Sequence, residues 1–140
     1  MNVKLLEKKL LKTAFSTIRN SHSPHSGFKV GAAILTDSGK IYPGTNIEFD
    51  AFSLTVCAER SALFNAISNG EKAFVKLAIA TNTAELKFPC GLCRQALIEF
   101  NPDIEILILN KSKVLKRVLL RDLLPNHFEL KMNKTKNQNK

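Results

Sequence analysis

Two short stretches, Cys57-Ala58-Glu59 and Pro89-Cys90-Gly91-Leu92-Cys93, decide how this chain folds and what it can bind. Each stands at the start of a segment with helical periodicity. Zinc takes four ligands in a tetrahedron, and a catalytic zinc site keeps one position open for water. Cys57, Cys90 and Cys93 supply three ligands. They predict one zinc ion per chain, held where two helix N-termini meet, because the positive ends of helix dipoles favour thiolates.

Two charged residues follow the first cysteine. Glu59 as a fourth ligand would close the site, so we expect it to stand beside the metal as a proton shuttle, the catalytic acid and base. Three thiolates on one zinc ion leave a net charge of about −1, which weakens the metal as a Lewis acid. We expect Arg60 to compensate by donating a hydrogen bond to a ligand sulfur.

The cysteines alone allow other interpretations. A single C-x-x-C pair is also typical of a structural zinc half-site or a redox pair, and a lone cysteine is often a small buried hydrophobe. Three cysteines cannot all form internal disulfides, which favours metal ligation in a reducing compartment. Cys-x-Glu followed by Pro-Cys-x-x-Cys is the pattern of the zinc deaminases, whose first ligand is His or Cys.

Around these stretches the chain has an α/β pattern. Helical spacing covers residues 3–18, 55–69 and 90–100, with a short turn at 121–124, and strands are predicted at 28–35, 40–47, 75–80, 104–109 and 114–120. Pro43 and Gly44 weaken the second strand and indicate a bulge or an edge position. We expect one α/β sandwich over residues 1–130, with helices on the faces of the sheet, and a basic, disordered tail over 131–140.

Composition excludes several classes of protein. The 140 residues suit one domain, and no apolar run approaches the roughly 20 residues that span a bilayer. No signal-peptide pattern opens the chain, so we expect a cytoplasmic protein without a membrane partner. The net charge of +9 is carried mostly by lysines near the two ends. A solvated surface explains it better than a nucleic-acid partner, for which arginine is favoured.

Beyond the cysteines, the sequence resembles the small homotetrameric cytidine deaminases over residues 1 to about 130. Residues 24–33 resemble the family's P-Y-S-x-F-x-V-G-A-A segment, and Asn46-Ile47-Glu48 resembles its N-x-E motif. Residues 55–62, 89–95 and 123–128 resemble its C-A-E-R-x-A, P-C-G-x-C-R-Q and L-L-P-x-x-F motifs. The resemblance implies a single-domain, three-layer sandwich with a mixed five-stranded sheet. It also implies hydrolytic deamination of cytidine and deoxycytidine in pyrimidine salvage, by a homotetramer with shared active sites.

The resemblance also implies roles for individual residues. Asn46 and Glu48 would bind the sugar hydroxyls, Phe28 would line the base pocket, the Ala58 amide would contact the pyrimidine carbonyl, and Phe128 would enter a neighbouring subunit's site. An amide and a carboxylate two apart on a strand share one face, which suits a sugar diol. Core packing for Phe28, C-terminal packing for Phe128, and plain strand-end polarity for Asn46 and Glu48 remain open.

Four residues depart from the family pattern. His25 replaces the usual Tyr of P-Y-S, Phe49-Asp50 replaces a small polar pair, and Phe52 stands where Tyr is frequent. These departures affect the expected shape of the pocket and of the subunit contacts, not the chemistry.

Three other functions compete with nucleoside deamination. A deaminase of another small amidine, of the blasticidin S type, shares the C-A-E and P-C-x-x-C motifs, but Arg60 and Asn46 favour the nucleoside enzyme. A nucleic-acid base editor is suggested only by charge, and it would need extra elements to grip a flipped base. In a non-catalytic zinc module, Glu59 would be an ordinary surface residue.

Overall fold

Helices and strands alternate along the chain, as its periodicity predicts. The computed structural model describes residues 2–132, and the predicted tail falls mostly on 133–140, outside the described residues. The elements are α1 (Val3–Thr17), β1 (Val30–Thr36), β2 (Ile41–Thr45), α2 (Ala58–Ser68), β3 (Phe74–Thr81), α3 (Gly91–Ile98), β4 (Glu105–Leu109), β5 (Leu115–Leu119) and α4 (Leu120–Leu123). Single 3₁₀ turns cover Ile18–Asn20 and Phe52–Leu54.

The five strands form one mixed sheet in the order β2-β1-β3-β4-β5. Strand β1 pairs antiparallel with both β2 and β3, β3 and β4 are parallel, and β4 pairs antiparallel with β5. The parallel pair is connected through α3, the crossover that parallel strands require. The mixed five-stranded sheet implied by the resemblance is confirmed.

Both faces of the sheet are covered, which makes the fold a three-layer sandwich. All seven residues of β1 are buried, and alternate side chains point to opposite faces. Ala33 and Leu35 pack with Leu10 and Ala14 of α1, whereas Ala32 and Ile34 pack with α2 and α3. The helical face predicted for α1 therefore reaches the core through its middle turns, while Val3 in the first turn is exposed.

Most predicted boundaries shift by one to three residues in the structure, and two of these shifts concern the elements next to the cysteines. Helix α2 begins at Ala58 rather than at Thr55, because Val56 is extended and pairs with Ile47. Strand β2 ends at Thr45 and lies at the edge of the sheet. The edge position expected from Pro43 and Gly44 is thus found, and the pairing of β2 with β1 runs through both residues without a bulge.

Gly44 sets how closely α2 approaches the sheet. A Cβ atom at Gly44 would lie 2.2 Å from the Ala62 backbone nitrogen and 2.6 Å from the Ala58 carbonyl oxygen. The absence of a side chain at this position lets α2 lie directly on β2. The N-terminus of α2 carries Cys57, so this close approach also places a predicted metal ligand.

Candidate metal centre and active site

The three cysteines meet where α2 and α3 begin. Cys57 is the N-cap of α2, Cys90 is the N-cap of α3, and Cys93 lies in the first turn of α3. The Sγ atoms of Cys57 and Cys90 are 3.6 Å apart, as are those of Cys90 and Cys93. All three sulfurs lie within 4.8 Å of one another. The two N-cap cysteines and the first-turn cysteine therefore have their sulfur atoms directed toward one point.

This donor set fits zinc. A tetrahedral site with Zn–S bonds of 2.3 Å places its sulfurs about 3.8 Å apart, close to the observed separations. Three thiolates leave the fourth position without a protein ligand, as in a catalytic zinc site.

Hydrogen bonding within the cluster makes one thiol acidic. A hydrogen bond from Cys93, and then one from Arg60, lower the pKa of Cys57 to about 5. The same bond to Cys57, together with burial, raises the pKa of Cys93. A first proton is therefore lost easily, and binding of a metal cation favours loss of the others.

Glu59 stands beside this cluster in the first turn of α2 and is only 6% exposed. Burial raises the pKa of its carboxyl to about 7, partly offset by its own backbone amide and reinforced by the negative charge of Cys57. A carboxyl group that titrates near neutral pH can both take up and release a proton at that pH. Its position and burial suit a proton shuttle.

The segment 46–48 is held between two other stretches of backbone. On one side, His22 donates its amide to the Asn46 carbonyl at 3.1 Å, and the Glu48 amide donates to the His22 carbonyl at 2.8 Å. On the other side, Ile47 and Val56 exchange backbone hydrogen bonds of 3.0 and 3.1 Å. Because Val56 directly precedes Cys57, this pairing brings the polar segment next to the metal ligands.

Together these elements line an open cavity of about 210 Å³. Its lining includes seven residues singled out in the sequence: Phe28, Asn46, Glu48, Cys57, Ala58, Glu59 and Cys90. Arg60 and Cys93 lie outside the lining, and Cys93 is fully buried. Phe128 does not line this cavity, and its side chain is 68% exposed.

The sequence gives no role to seven further residues of the lining: Val30, Thr55, Val56, Ile79, Thr81, Lys87 and Phe88. Lys87 and Phe88 could have been found from sequence, since they immediately precede the Pro89-Cys90 motif. Thr81 could not, because only the pairing of β1 with β3 brings the end of β3 to this cavity.

Asn46 and Glu48 already make several hydrogen bonds within the chain. Asn46 Oδ1 accepts from the Val30 amide at 3.0 Å and from the Ser21 hydroxyl, and Asn46 Nδ2 donates to the Phe28 carbonyl at 2.7 Å. Glu48 Oε1 accepts from the amides of His25 and Ser26 at 2.9 and 3.0 Å. Most of the polar capacity of both side chains is therefore used before any ligand binds.

Three of the four departures from the family pattern lie together at one edge of the cavity. His25 Nε2 is 3.2 Å from Asp50 Oδ1, and the His25 ring packs edge-on against Phe52 with centroids 5.4 Å apart. Phe49 is partly exposed, and its amide donates to the Thr55 hydroxyl at 3.3 Å. His25, Asp50 and Phe52 thus make one side-chain cluster.

A mixed α/β sandwich with three cysteine sulfurs beside a buried carboxylate defines a zinc metalloprotein of the hydrolytic deaminase class. The sequence profile described as "Cytidine and deoxycytidylate deaminase zinc-binding region" matches residues 5–109. The chain belongs to the cytidine deaminase family.

Individual relatives agree with this assignment. The chain is 38% identical to a cytidine deaminase of Sporosarcina psychrophila, over 86% of this chain and 90% of the relative. It is also 38% identical to one of Halalkalibacterium halodurans, over 85% and 91% of the two chains. Both alignments cover about nine-tenths of the relative, so the similarity extends well beyond the zinc motif.

Solved structures share the fold. The crystal structure of cytidine deaminase from Burkholderia pseudomallei superimposes with a TM-score of 0.83 at 36% identity, covering 86% of this chain and 98% of that one. The enzyme from Mycobacterium tuberculosis gives a TM-score of 0.77 at 32% identity, covering 89% and 98%. Among residues 2–132, no helix has the length and apolar character needed to cross a membrane.

Proposed function

We propose that this chain hydrolyses cytidine and 2′-deoxycytidine to uridine and 2′-deoxyuridine, releasing ammonia, in pyrimidine salvage. The observation that carries the proposal is one cavity with two kinds of polar group. Cys57, Cys90 and buried Glu59 line it together with two residues that can recognise a sugar, Asn46 and Glu48. The family relatives named above are cytidine deaminases, which supports the same substrate class.

Bound zinc, held by Cys57, Cys90 and Cys93, supplies Lewis-acid activation of a water molecule. Glu59 accepts a proton as that water adds to C4 of the base and delivers it to the ring nitrogen N3. It later carries the proton of the new C4 hydroxyl to the exocyclic nitrogen, so that the bond between C4 and this nitrogen breaks, ammonia leaves and the C4 carbonyl forms. The pKa of about 7 that burial imposes on Glu59 suits both transfers at neutral pH.

Phe28 and Ala58 are assigned to the base. Both line the cavity. Ala58 is the first residue of α2, so its amide belongs to the first turn, where the N–H groups have no carbonyl partner inside the helix. That amide is suited to donate to the pyrimidine carbonyl oxygen. Phe28 supplies an aromatic wall on which a flat ring can pack.

Asn46 and Glu48 are assigned to the sugar. Asn46 Oδ1 accepts two hydrogen bonds and its Nδ2 donates one, which leaves one N–H for a ligand. Glu48 Oε2 accepts one hydrogen bond, from the Ser26 hydroxyl, and can accept another. The pair therefore offers one donor and one acceptor to the nucleoside.

The active form is proposed to be a cytoplasmic homotetramer with shared active sites. Phe128 stands 68% exposed and outside the cavity of its own chain, and its backbone carbonyl is held at 3.0 Å by Gln95 Nε2. An exposed phenylalanine on a backbone anchored to α3 suits insertion into a neighbouring subunit's site. Burial of the side chain in that site would also recover its hydrophobic free energy.

Ammonia release from cytidine tests this function, with wild type compared against Glu59→Ala and with zinc measured in both. We expect about one zinc ion per chain in both proteins and turnover only in wild type. Zinc-loaded wild type that leaves cytidine unchanged would contradict the proposal. Blasticidin S, assayed in parallel, identifies a different amidine substrate if it is consumed instead.

A further inference from the structure

The loop between α1 and β1 contacts both of the residues assigned to the sugar. Besides the backbone bonds of His22 to segment 46–48, two serine hydroxyls of this loop donate directly to the side chains of that segment. Ser21 bonds to Asn46 and Ser26 bonds to Glu48. The family resemblance assigns neither serine a role.

Ser26 contacts both Glu48, which is assigned to the sugar, and Phe28, which is assigned to the base. Its hydroxyl donates to Glu48 Oε2 at 2.5 Å and accepts from the Phe28 amide at 3.0 Å, while its own amide donates to Glu48 Oε1 at 3.0 Å. Ser26 thus holds both carboxylate oxygens of Glu48 and fixes the backbone of Phe28. The same hydroxyl is the main reason that the pKa of Glu48 lies below its ordinary value.

Ser21 completes the hydrogen bonding of Asn46 Oδ1. With the Val30 amide already bound to Asn46 Oδ1, the Ser21 hydroxyl occupies the second lone pair of that oxygen. Asn46 is 7% exposed, and its side-chain amide cannot turn over without leaving the Val30 amide unpaired. Its Nδ2 is thereby kept directed to the Phe28 carbonyl.

We propose that Ser21 and Ser26 are positioning residues that hold Asn46 and Glu48 in the orientation that binds the nucleoside's sugar hydroxyl. The inference rests on the proposed function. A carboxylate or amide that is already oriented loses less conformational entropy when the ligand binds. The free-energy cost of ordering the side chain is then met when the protein folds and does not weaken binding. Outer-shell partners of metal ligands orient a binding group in the same way, and their removal typically changes affinity or activity about 10-fold or more.

The test compares Ser26→Ala and Ser21→Ala with wild type on two substrates, cytidine and 2′,3′-dideoxycytidine. The second substrate lacks both ring hydroxyls that Asn46 and Glu48 can bind. We expect Ser26→Ala to lower kcat/KM for cytidine about 10-fold, mainly through KM, and Ser21→Ala to lower it about 5-fold. Turnover of the dideoxynucleoside is expected to stay within about 2-fold of wild type for both variants.

Two control variants separate positioning from general damage to the loop. Ser23→Ala removes a hydroxyl from the same loop that contacts Ser21 but neither Asn46 nor Glu48, and it is expected to behave as wild type. Ser26→Thr keeps the hydroxyl at a solvent-exposed position and is expected to restore most of the cytidine activity.

The outcomes distinguish this inference from the function on which it rests. Equal losses on both substrates, or no loss on either, would overturn the positioning role while leaving the deaminase activity established by wild type. Wild type that is inactive on cytidine would overturn the proposed function, and the positioning role with it.

Discussion

Arg60 Nη2 lies 3.6 Å from Cys57 Sγ. The guanidinium group of Arg60, in the first turn of α2, therefore donates a hydrogen bond to the metal ligand at the N-cap of the same helix. Three thiolates on one zinc ion carry excess negative charge, and this hydrogen bond withdraws part of it. We expect Arg60→Gln to lower kcat about 10- to 100-fold while zinc remains bound. Zinc analysis and steady-state kinetics on the same preparation measure both quantities.

Arg60→Lys is the matched variant for that prediction. It keeps the positive charge but loses the planar donor that reaches the sulfur, so we expect an intermediate activity. If Arg60→Gln retained full activity, Arg60 would have no part in tuning the metal.

Gly44→Ala is expected to destabilise the protein by about 2 kcal/mol or more, because the new Cβ atom meets backbone of α2 and no flexible side chain can move aside. Displacement of α2 would also move Cys57, so we expect weaker zinc binding. Urea unfolding and a zinc competition titration measure the two effects. Gly91→Ala at the start of α3 has open space around its Cβ atom and should leave the unfolding midpoint unchanged.

Glu7 on α1 accepts hydrogen bonds from Arg117 and from Lys76, the latter at 3.0 Å. The bond from Arg117 is the largest of the effects that lower the pKa of Glu7, from 4.5 to about 2. A depressed folded-state pKa contributes stability that is present above the unfolded pKa and lost as pH falls towards the folded value. We expect Glu7→Gln to cost about 1 kcal/mol at neutral pH, since solvent screens part of the network.

The difference in unfolding free energy between wild type and Glu7→Gln should therefore shrink as pH falls from about 5 towards about 2. Chemical denaturation at a series of pH values measures it. Glu85→Gln, which breaks an exposed pair with Lys87, serves as the control and should show little effect at any pH. A difference for Glu7→Gln that grows on acidification would contradict the sign predicted here.

One free donor on Asn46 and one free acceptor on Glu48 match a single hydroxyl group, which accepts one hydrogen bond and donates another. We therefore expect 2′-deoxycytidine and 3′-deoxycytidine to differ. One of them should retain kcat/KM within about 3-fold of cytidine, and the other should lose about 10-fold or more. Parallel kinetics on the three nucleosides test this, and equal losses for both deoxynucleosides would show that two hydroxyls are bound.

Phe128 can be tested by complementation between subunits. Phe128→Ala lacks the aromatic ring that we assign to a neighbour's site, whereas Glu59→Ala lacks its own proton shuttle but still offers Phe128. Refolding the two inactive or weakened variants together should regenerate sites with both groups and raise activity above either protein alone. Activity of the mixture equal to the average of the two would place Phe128 outside the neighbouring site.

Much of the fold follows from local pattern. The 3.6-residue spacing before and after the cysteine motifs predicts α1, α2 and α3, and the short apolar runs predict all five strands to within a few residues. The choice of zinc depends on the identity and spacing of three cysteines, which are also properties of the sequence. Local sequence patterns predict these features because each feature depends on residues that are close together along the chain.

Tertiary structure decided the rest. The Sγ atoms of Cys57 and Cys90 lie 3.6 Å apart. This proximity depends on the packing of α2 over Gly44 and on the parallel pairing of β3 with β4. The family resemblance implied that Asn46 and Glu48 bind the sugar hydroxyls, but the sequence did not show that Ser21 and Ser26 donate hydrogen bonds to them. These hydrogen bonds join residues more than 20 positions apart, and such contacts produce no periodic pattern in the sequence. Their geometry is therefore seen only in the folded structure.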